Sequence, residues 1–166
     1  MQSNNTYRCV GVMSGTSLDG IDLILCSFRL RNSWEFNIEK TYTFQYSKYW
    51  TNTLKNLHLK DNNTIKKVDK EYGLFIGETI NKFLKNETVD YICSHGHTIF
   101  HQPENKFTLQ IGSGQSIVKK TQITTINNFR ETDISLNGQG APLVPIGDMY
   151  LFPRYKYCVN LGGFAN

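Results

Sequence analysis

Long apolar runs are missing from this 166-residue chain. No stretch approaches the roughly 18 apolar residues that a membrane-spanning helix needs, so a membrane role is not expected. Cysteine is sparse. Cys9, Cys26, Cys93 and Cys158 stand far apart with no Cys-x-x-Cys pair, which argues against a zinc ribbon or a dense disulfide frame. Three of them lie in apolar, strand-like runs, as buried reduced thiols do. Charge of one sign is not concentrated either. The net charge is +4 and the basic pairs Lys66-Lys67 and Lys119-Lys120 are scattered, so no nucleic-acid footprint is indicated. The opening residues MQSNNTYR are polar and carry no apolar secretory core, so a cytoplasmic location is expected. There is no internal repeat and no low-complexity linker.

What is present is the apolar and charged content of a globular protein able to bury a core, at a length that suits one domain or one large piece of a two-domain protein. Residues 7–13 (YRCVGVM) and 20–30 (GIDLILCSFRL) read as buried strands. In WEFNIEKTYTFQY, Trp34, Phe36 and Ile38 alternate, and later Tyr42, Phe44 and Tyr46 do. This period of two predicts a third strand with an irregularity near Lys40. The links are too short for crossovers, so the three strands are expected to be antiparallel neighbours.

The period then changes. Trp50, Leu54 and Leu57 recur at helical spacing, and a long helix carrying Ile65 to Leu84 is expected after a cap at Asn63 or Thr64. Gly73 and Gly77 lie four apart on it and would allow close approach to the sheet. A strand over 89–94, a loop with three histidines, a strand over 107–112, a short helix over 114–121 and a strand over 123–129 follow. A polar loop, a helix opened by Pro142 and running to 152, and a strand starting at 155 complete the order. Three antiparallel strands followed by helix–strand alternation predict an α/β fold. The expected form is a mixed sheet of the ribonuclease-H-like type found in each half of the actin-like kinases, with parallel strands after the first three and helices on both faces.

Three clusters carry candidate chemistry. The first is GVMSGTSLDGID, residues 11–22. A tight link between adjacent strands, rich in Gly, Ser, Thr and Asp, turns several backbone N–H groups in one direction, and such a nest attracts phosphate oxygens. Asp19 would sit at its rim, where it suits Mg²⁺ held through water. No Gly-Lys pair follows, so this is not a Walker loop, and a strand rather than a helix comes next, so it is not a dinucleotide fingerprint. The competing account is a polar hairpin, and Asp22 in particular could simply face solvent.

The second cluster, SHGHTIFH (94–101), follows a buried strand, where ligands often bind. His95 and His97 suit hydrogen bonding to a polar substrate. The rival reading joins them with His101 as a metal site of a hydrolase. The third, NNFRETDISLNGQGAPLVP (127–145), offers Arg130 as an anion holder. Either Glu131 or Asp133 could serve as a general base, and Gly138-Gln139-Gly140 would bring backbone close to a ligand.

Taken in order, GVMSGTSLDGID, SHGHTIFHQP, FTLQIG, NFRETDISLNGQGAPLVP and NLGGFAN resemble the 1,6-anhydro-N-acetylmuramic acid kinase family of the actin-like ATPase and sugar-kinase superfamily, from about residue 8 to the last. Residues 31–88 carry little of this signal. The resemblance implies a cytoplasmic enzyme of cell-wall sugar recycling, often a homodimer. It uses ATP and Mg²⁺ to open the anhydro ring with water and phosphorylate O6, giving N-acetylmuramic acid 6-phosphate. It also implies residue roles. Ser14, Gly15, Thr16, Ser17, Asp19, Gly20 and Asp22 match the ATP-phosphate stretch, with Asp19 toward the metal. Asp133 matches the catalytic base, and His95, Gly96, His97, Thr98 and Arg130 fall where the family contacts the sugar.

Two departures stand out. The family usually has Gln where His97 stands, and its members are about twice as long, beyond the usual size of one domain. The expectation is therefore an amino-terminal lobe over 1–154 and the start of a second lobe over 155–166, inactive alone. The alternative is a non-catalytic sugar-binding or regulatory module of the same fold.

Overall fold

The computed structural model describes residues 6–15 and 17–161. Strands β1 (Thr6–Met13), β2 (Gly20–Leu30) and β3 (Trp34–Gln45) form the antiparallel meander that their alternation predicts. The irregularity near Lys40 is a bulge. Leu25 pairs with Lys40 but Cys26 pairs with Ile38, so Glu39 is the extra residue on β3. An ion cluster pins it. Arg8 bonds Glu39 at 2.6 Å and also Glu87, while Lys40 reaches Glu87 and the carbonyl of Phe83.

Two helices follow, α1 (Lys48–Asn56) and α2 (Asn62–Leu84). The cap of α2 is Asp61, not Asn63 or Thr64. Its carboxylate accepts from Asn63 N at 2.9 Å and Thr64 N at 3.0 Å, two of the donors left open at a helix start. Next come β4 (Tyr91–Ser94), the hairpin β5 (His97–Gln102) and β6 (Phe107–Ile111), α3 (Gly114–Thr121) and β7 (Thr125–Ile126). The main sheet has the order β3-β2-β1-β4-β7, with β1, β4 and β7 mutually parallel. The chain is thus α/β with a mixed five-stranded sheet.

Alternation sorts the strands into two faces. Val10, Val12, Ile21, Leu23, Leu25 and Ile92 face α1, α2 and α3 and make one buried core with Trp50, Leu57, Tyr72, Ile76, Ile80 and Ile117. Gly73 and Gly77 do serve close packing, but against α3 rather than the sheet. A Cβ on Gly73 would lie 2.6 Å from the Ser113 carbonyl, and one on Gly77 2.6 Å from Lys120 Cβ. On the opposite face lie Tyr7, Cys9, Gly11 and Met13, with Cys26 across from Cys9 and Cys93 across from Gly11. Part of this face is covered by α5 (Val144–Leu151) and by Phe152, whose ring meets Phe36 edge-on at 5.6 Å. Helices therefore lie on both faces.

Three expectations need correction. The strand over 123–129 shrinks to Thr125–Ile126, because only those residues find a partner in β4. The polar loop contains a short helix, α4 (Glu131–Ser135). The strand from 155 does not form over its described part: residues 155–160 are irregular and Leu161 makes one bridge. Among the described residues no helix is long and apolar enough to cross a membrane.

Candidate functional site

The carboxyl ends of β1 and β4 open on one cleft of about 540 Å³ on the less covered face of the sheet. Its walls include Met13, Asp22, Tyr42, Thr43, His95 and Phe129. Asp22 points into it because it lies on the opposite parity to the buried Ile21 and Leu23. Thr43, directly across on β3, donates its hydroxyl to Asp22 Oδ1 at 2.5 Å. Thr43 and Phe129 are site residues that sequence reasoning missed. Phe129 adjoins Arg130, and Thr43 becomes visible only once the strand register is known.

The β1–β2 link joins Met13 to β2, whose Asp22 lines this cleft together with Met13. Gly15 accepts from Leu18 N at 3.4 Å and Asp19 O accepts from Tyr46 N at 3.3 Å, closing the turn while Ser17 and Asp19 stay exposed. Hydroxyl, carboxylate and backbone N–H donors on an exposed turn suit a phosphate and its hydrated cation. Ser14 turns inward instead. The whole residue is 2% exposed, and its hydroxyl lies beside the hydrogen-bonded Tyr46–Tyr72 pair without completing a bond of its own. Gly20 is buried at the start of β2. Thr16 lies outside the described residues, as do residues 162–166 of the final NLGGFAN segment.

The three histidines part company. His95 follows β4, fixed by its N–H to Val12 O at 3.0 Å, and lines the cleft. His97 opens β5 and is only 4% exposed, with Nδ1 unpartnered; burial pushes its pKa down to about 4. His101 lies at the exposed end of the hairpin, within 3.2 Å of Thr108 Oγ1. Among the described residues no three His, Cys, Asp or Glu side chains are arranged to hold a metal ion. Gly96 is buried beneath the hairpin and Thr98 pairs with Gln110.

Arg130 joins these pieces. Its Nε donates to His95 Nε2 at 3.0 Å and its Nη1 to Gly140 O at 2.7 Å. Gly140 N in turn donates to Asp133 Oδ2 at 2.6 Å, and Gly138 N to the Asp133 carbonyl at 2.8 Å. The loop 136–140 thus wraps the Asp133 carboxylate, and a Cβ on Gly138 would lie 2.2 Å from Oδ2. Glu131 is used differently, accepting from Asn128 Nδ2 at 2.9 Å. The result is a continuous string from the cleft through His95, Arg130 and Gly140 to Asp133. Asp133 itself is exposed and is not among the residues lining the cleft.

A second, polar hollow of about 370 Å³ lies between Asp69, Gln110, Ser113 and Asn127. Asp69 there accepts from Gly112 N at 2.8 Å, and burial raises its pKa against that bond.

Comparison with known proteins yields one family. Residues 7–166 match the model described as anhydro-N-acetylmuramic acid kinase. The protein of that name from Shewanella pealeana is 38% identical over 176 residues, covering 98% of this chain and 47% of the relative. Those from Mannheimia succiniciproducens and Acinetobacter baylyi are 37% and 38% identical, each across 95% of this chain and 44% and 43% of the relative. The chain spans a little under half the length of the curated relatives it matches.

Proposed function

The chain belongs to the anhydro-N-acetylmuramic acid kinase family, and on that premise we propose that it forms one wall of the site where 1,6-anhydro-N-acetylmuramic acid is opened by water and phosphorylated on O6. The observation that carries this reading is the string His95–Arg130–Gly140–Asp133. It ties a carboxylate able to accept a proton, through a cationic group, to a histidine that lines the cleft. The strand order supports assignment to the ribonuclease-H-like lobe of actin-like ATPases, with 1–154 as that lobe and 155–166 leading to a second.

In this mechanism ATP would supply the phosphoryl group, and Mg²⁺, when bound, would offset its charge. The exposed turn at Gly15, Ser17 and Asp19, with Thr16 and Gly20, would hold the phosphates; Asp19 and Asp22 would reach the hydrated cation. Asp133 takes a proton from the water that attacks the anomeric carbon. One of its oxygens is fixed by Gly140 N, which leaves Oδ1 to face that water. Arg130 holds an anionic group of the sugar and orients the ring, while Gly96, His97 and Thr98 shape the hairpin beside it. Positioning supplies most of the rate, because water and a sugar hydroxyl are weak nucleophiles. The setting is a cytoplasmic recycling pathway, with a homodimer as the expected assembly.

Calorimetric titration tests this. The chain should bind 1,6-anhydro-N-acetylmuramic acid, and Arg130→Ala should abolish that binding with the fold intact. Turnover by the 166-residue chain alone should be negligible, since catalysis in a cleft needs both walls. Absence of sugar binding by the folded chain, or turnover at ordinary enzyme rates, would refute the reading. A second reading is a sugar-binding module without catalysis, favoured by the position of Asp133 outside the cleft lining. Such a module would bind the sugar and show no heat with Mg-ATP.

A further inference from the structure

The two ring nitrogens of His95 are both committed, and their partners leave one assignment. Nδ1 lies 2.8 Å from Gly96 O, which can only accept, so Nδ1 carries the proton. Nε2 lies 3.0 Å from Arg130 Nε, which can only donate, so Nε2 presents its lone pair. An imidazolium could not make both bonds. Arg130 is half-buried and its other bond goes to a neutral carbonyl, Gly140 O. Among the described residues no carboxylate comes within ion-pair distance of Arg130. The guanidinium is therefore oriented from two sides by neutral acceptors and keeps its full charge, with N–H groups left over beside His95, which lines the cleft. Half-buried guanidinium groups are usually neutralised by a carboxylate. A carboxylate in place of His95 would orient Arg130 equally well but would cancel the charge it offers.

We propose that His95 is a positioning residue, a neutral acceptor that aims Arg130 at an oxyanion of the ligand without neutralising it. This deepens the proposed function and rests on it only for the identity of the ligand. The oxyanion is either the carboxylate of a muramic-type sugar acid or a phosphoryl group, which share the geometry that a guanidinium recognises. The charged and titratable groups around the ring are consistent with a neutral imidazole. Arg130 faces it directly, Cys93 of β4, Tyr42 of β3 and Asp22 of β2 share its cleft, and His97 of β5 stands behind it. Asp22 is the one anion among them, and it is engaged by Thr43. Burial first, and the charge of Arg130 as well, hold the His95 pKa below its ordinary value.

Two measurements on the 166-residue chain decide the matter. Proton–nitrogen correlation spectra of the imidazoles should show His95 as the Nδ1–H tautomer at neutral pH, titrating below the ordinary histidine value. A proton on Nε2, or titration at or above that value, would overturn the proposal without touching the kinase reading. Separately, N-acetylmuramic acid and inorganic phosphate are titrated against wild type, His95→Gln and His95→Asp, each checked for fold by circular dichroism. A Gln carbonyl can still accept from Arg130, so His95→Gln should stay within about threefold of wild type, whereas His95→Asp should weaken the anion about tenfold or more. Equal affinity in wild type and His95→Asp would refute the proposal, as would a wild-type chain that binds neither anion. Phosphate binding that His95→Asp abolishes, with no binding of N-acetylmuramic acid, would uphold the oxyanion site and count against the sugar reading.

Discussion

His97 is the residue whose burial has the plainest price in pH. Its pKa is lowered from 6.5 to about 4 inside the fold, chiefly by loss of water. Between those values the unfolded chain binds a proton that the folded chain refuses, so stability falls as pH drops from about 6.5 and levels off near 4. The contribution amounts to about 2 kcal/mol between pH 7 and pH 5. Urea unfolding at the two pH values should show that loss in the wild type and a smaller one in His97→Gln; identical losses would mean the ring is solvated. Gly138 is the second residue of this kind. Adding a methyl group places it 2.2–2.4 Å from the carboxyl atoms of Asp133. Gly138→Ala should therefore displace the carboxylate from Gly140 N and cost roughly 1–2 kcal/mol, read as a lowered urea midpoint; an unchanged midpoint would show that the loop yields freely. The sequence placed both residues in polar loops. Nothing in a run of histidines and glycines reveals that one histidine faces the core and one glycine faces a carboxylate.

At the scale of elements, the α2–α3 contact is the one most exposed to a single change. Helix propensity favours Gly73→Ala by about 0.8–1 kcal/mol, but the new Cβ meets the Ser113 carbonyl at 2.6 Å and Ser116 Cβ at 2.8 Å. Overpacking costs about 1–3 kcal/mol, so a net destabilisation is expected. A raised thermal midpoint in that variant would mean that α3 shifts aside without cost. The long elements were legible because their periods were. Alternation gave β1 to β3, and the charged Lys40 that interrupts the apolar positions marked the bulge, although the parity of the pattern runs on unbroken and only the pairing register shows the extra residue. The 3.6 period gave α2, though not its cap, since Asp61, Asn63 and Thr64 all carry capping side chains and only the geometry chooses. Short elements were not legible. The helix α4 is held by tertiary bonds from Arg130 and Asp133 more than by propensity, and the alternation in YKYCVNL finds no strand to pair with beyond a single bridge. In the candidate site the polar residue types were readable, but the partnership of His95 with Arg130 spans 35 positions and has no local signature.

At the scale of the whole molecule, one side of the sheet is dry and the other is open. Ile146, Met149, Tyr155, Tyr157, Val159 and Leu161 are all more than half exposed along the carboxyl-terminal stretch. Apolar surface of that extent favours association. Sedimentation should show this chain self-associating with rising concentration, and Ile146→Lys with Met149→Lys should restore a monomer. A wild-type chain that stays monomeric at high concentration would contradict the expectation. The open side also gives the molecule a built-in chemical clock. Cys158 is exposed, Cys9 sits half-buried on the face toward α5, Cys93 is half-buried and also lines the cleft beside His95, burial raises the pKa of both thiols, Cys9 to about 11, and Cys26 is buried. A maleimide should consume Cys158 at once and Cys9 only as α5 lifts, so the lag between the two waves of alkylation times the undocking of that helix.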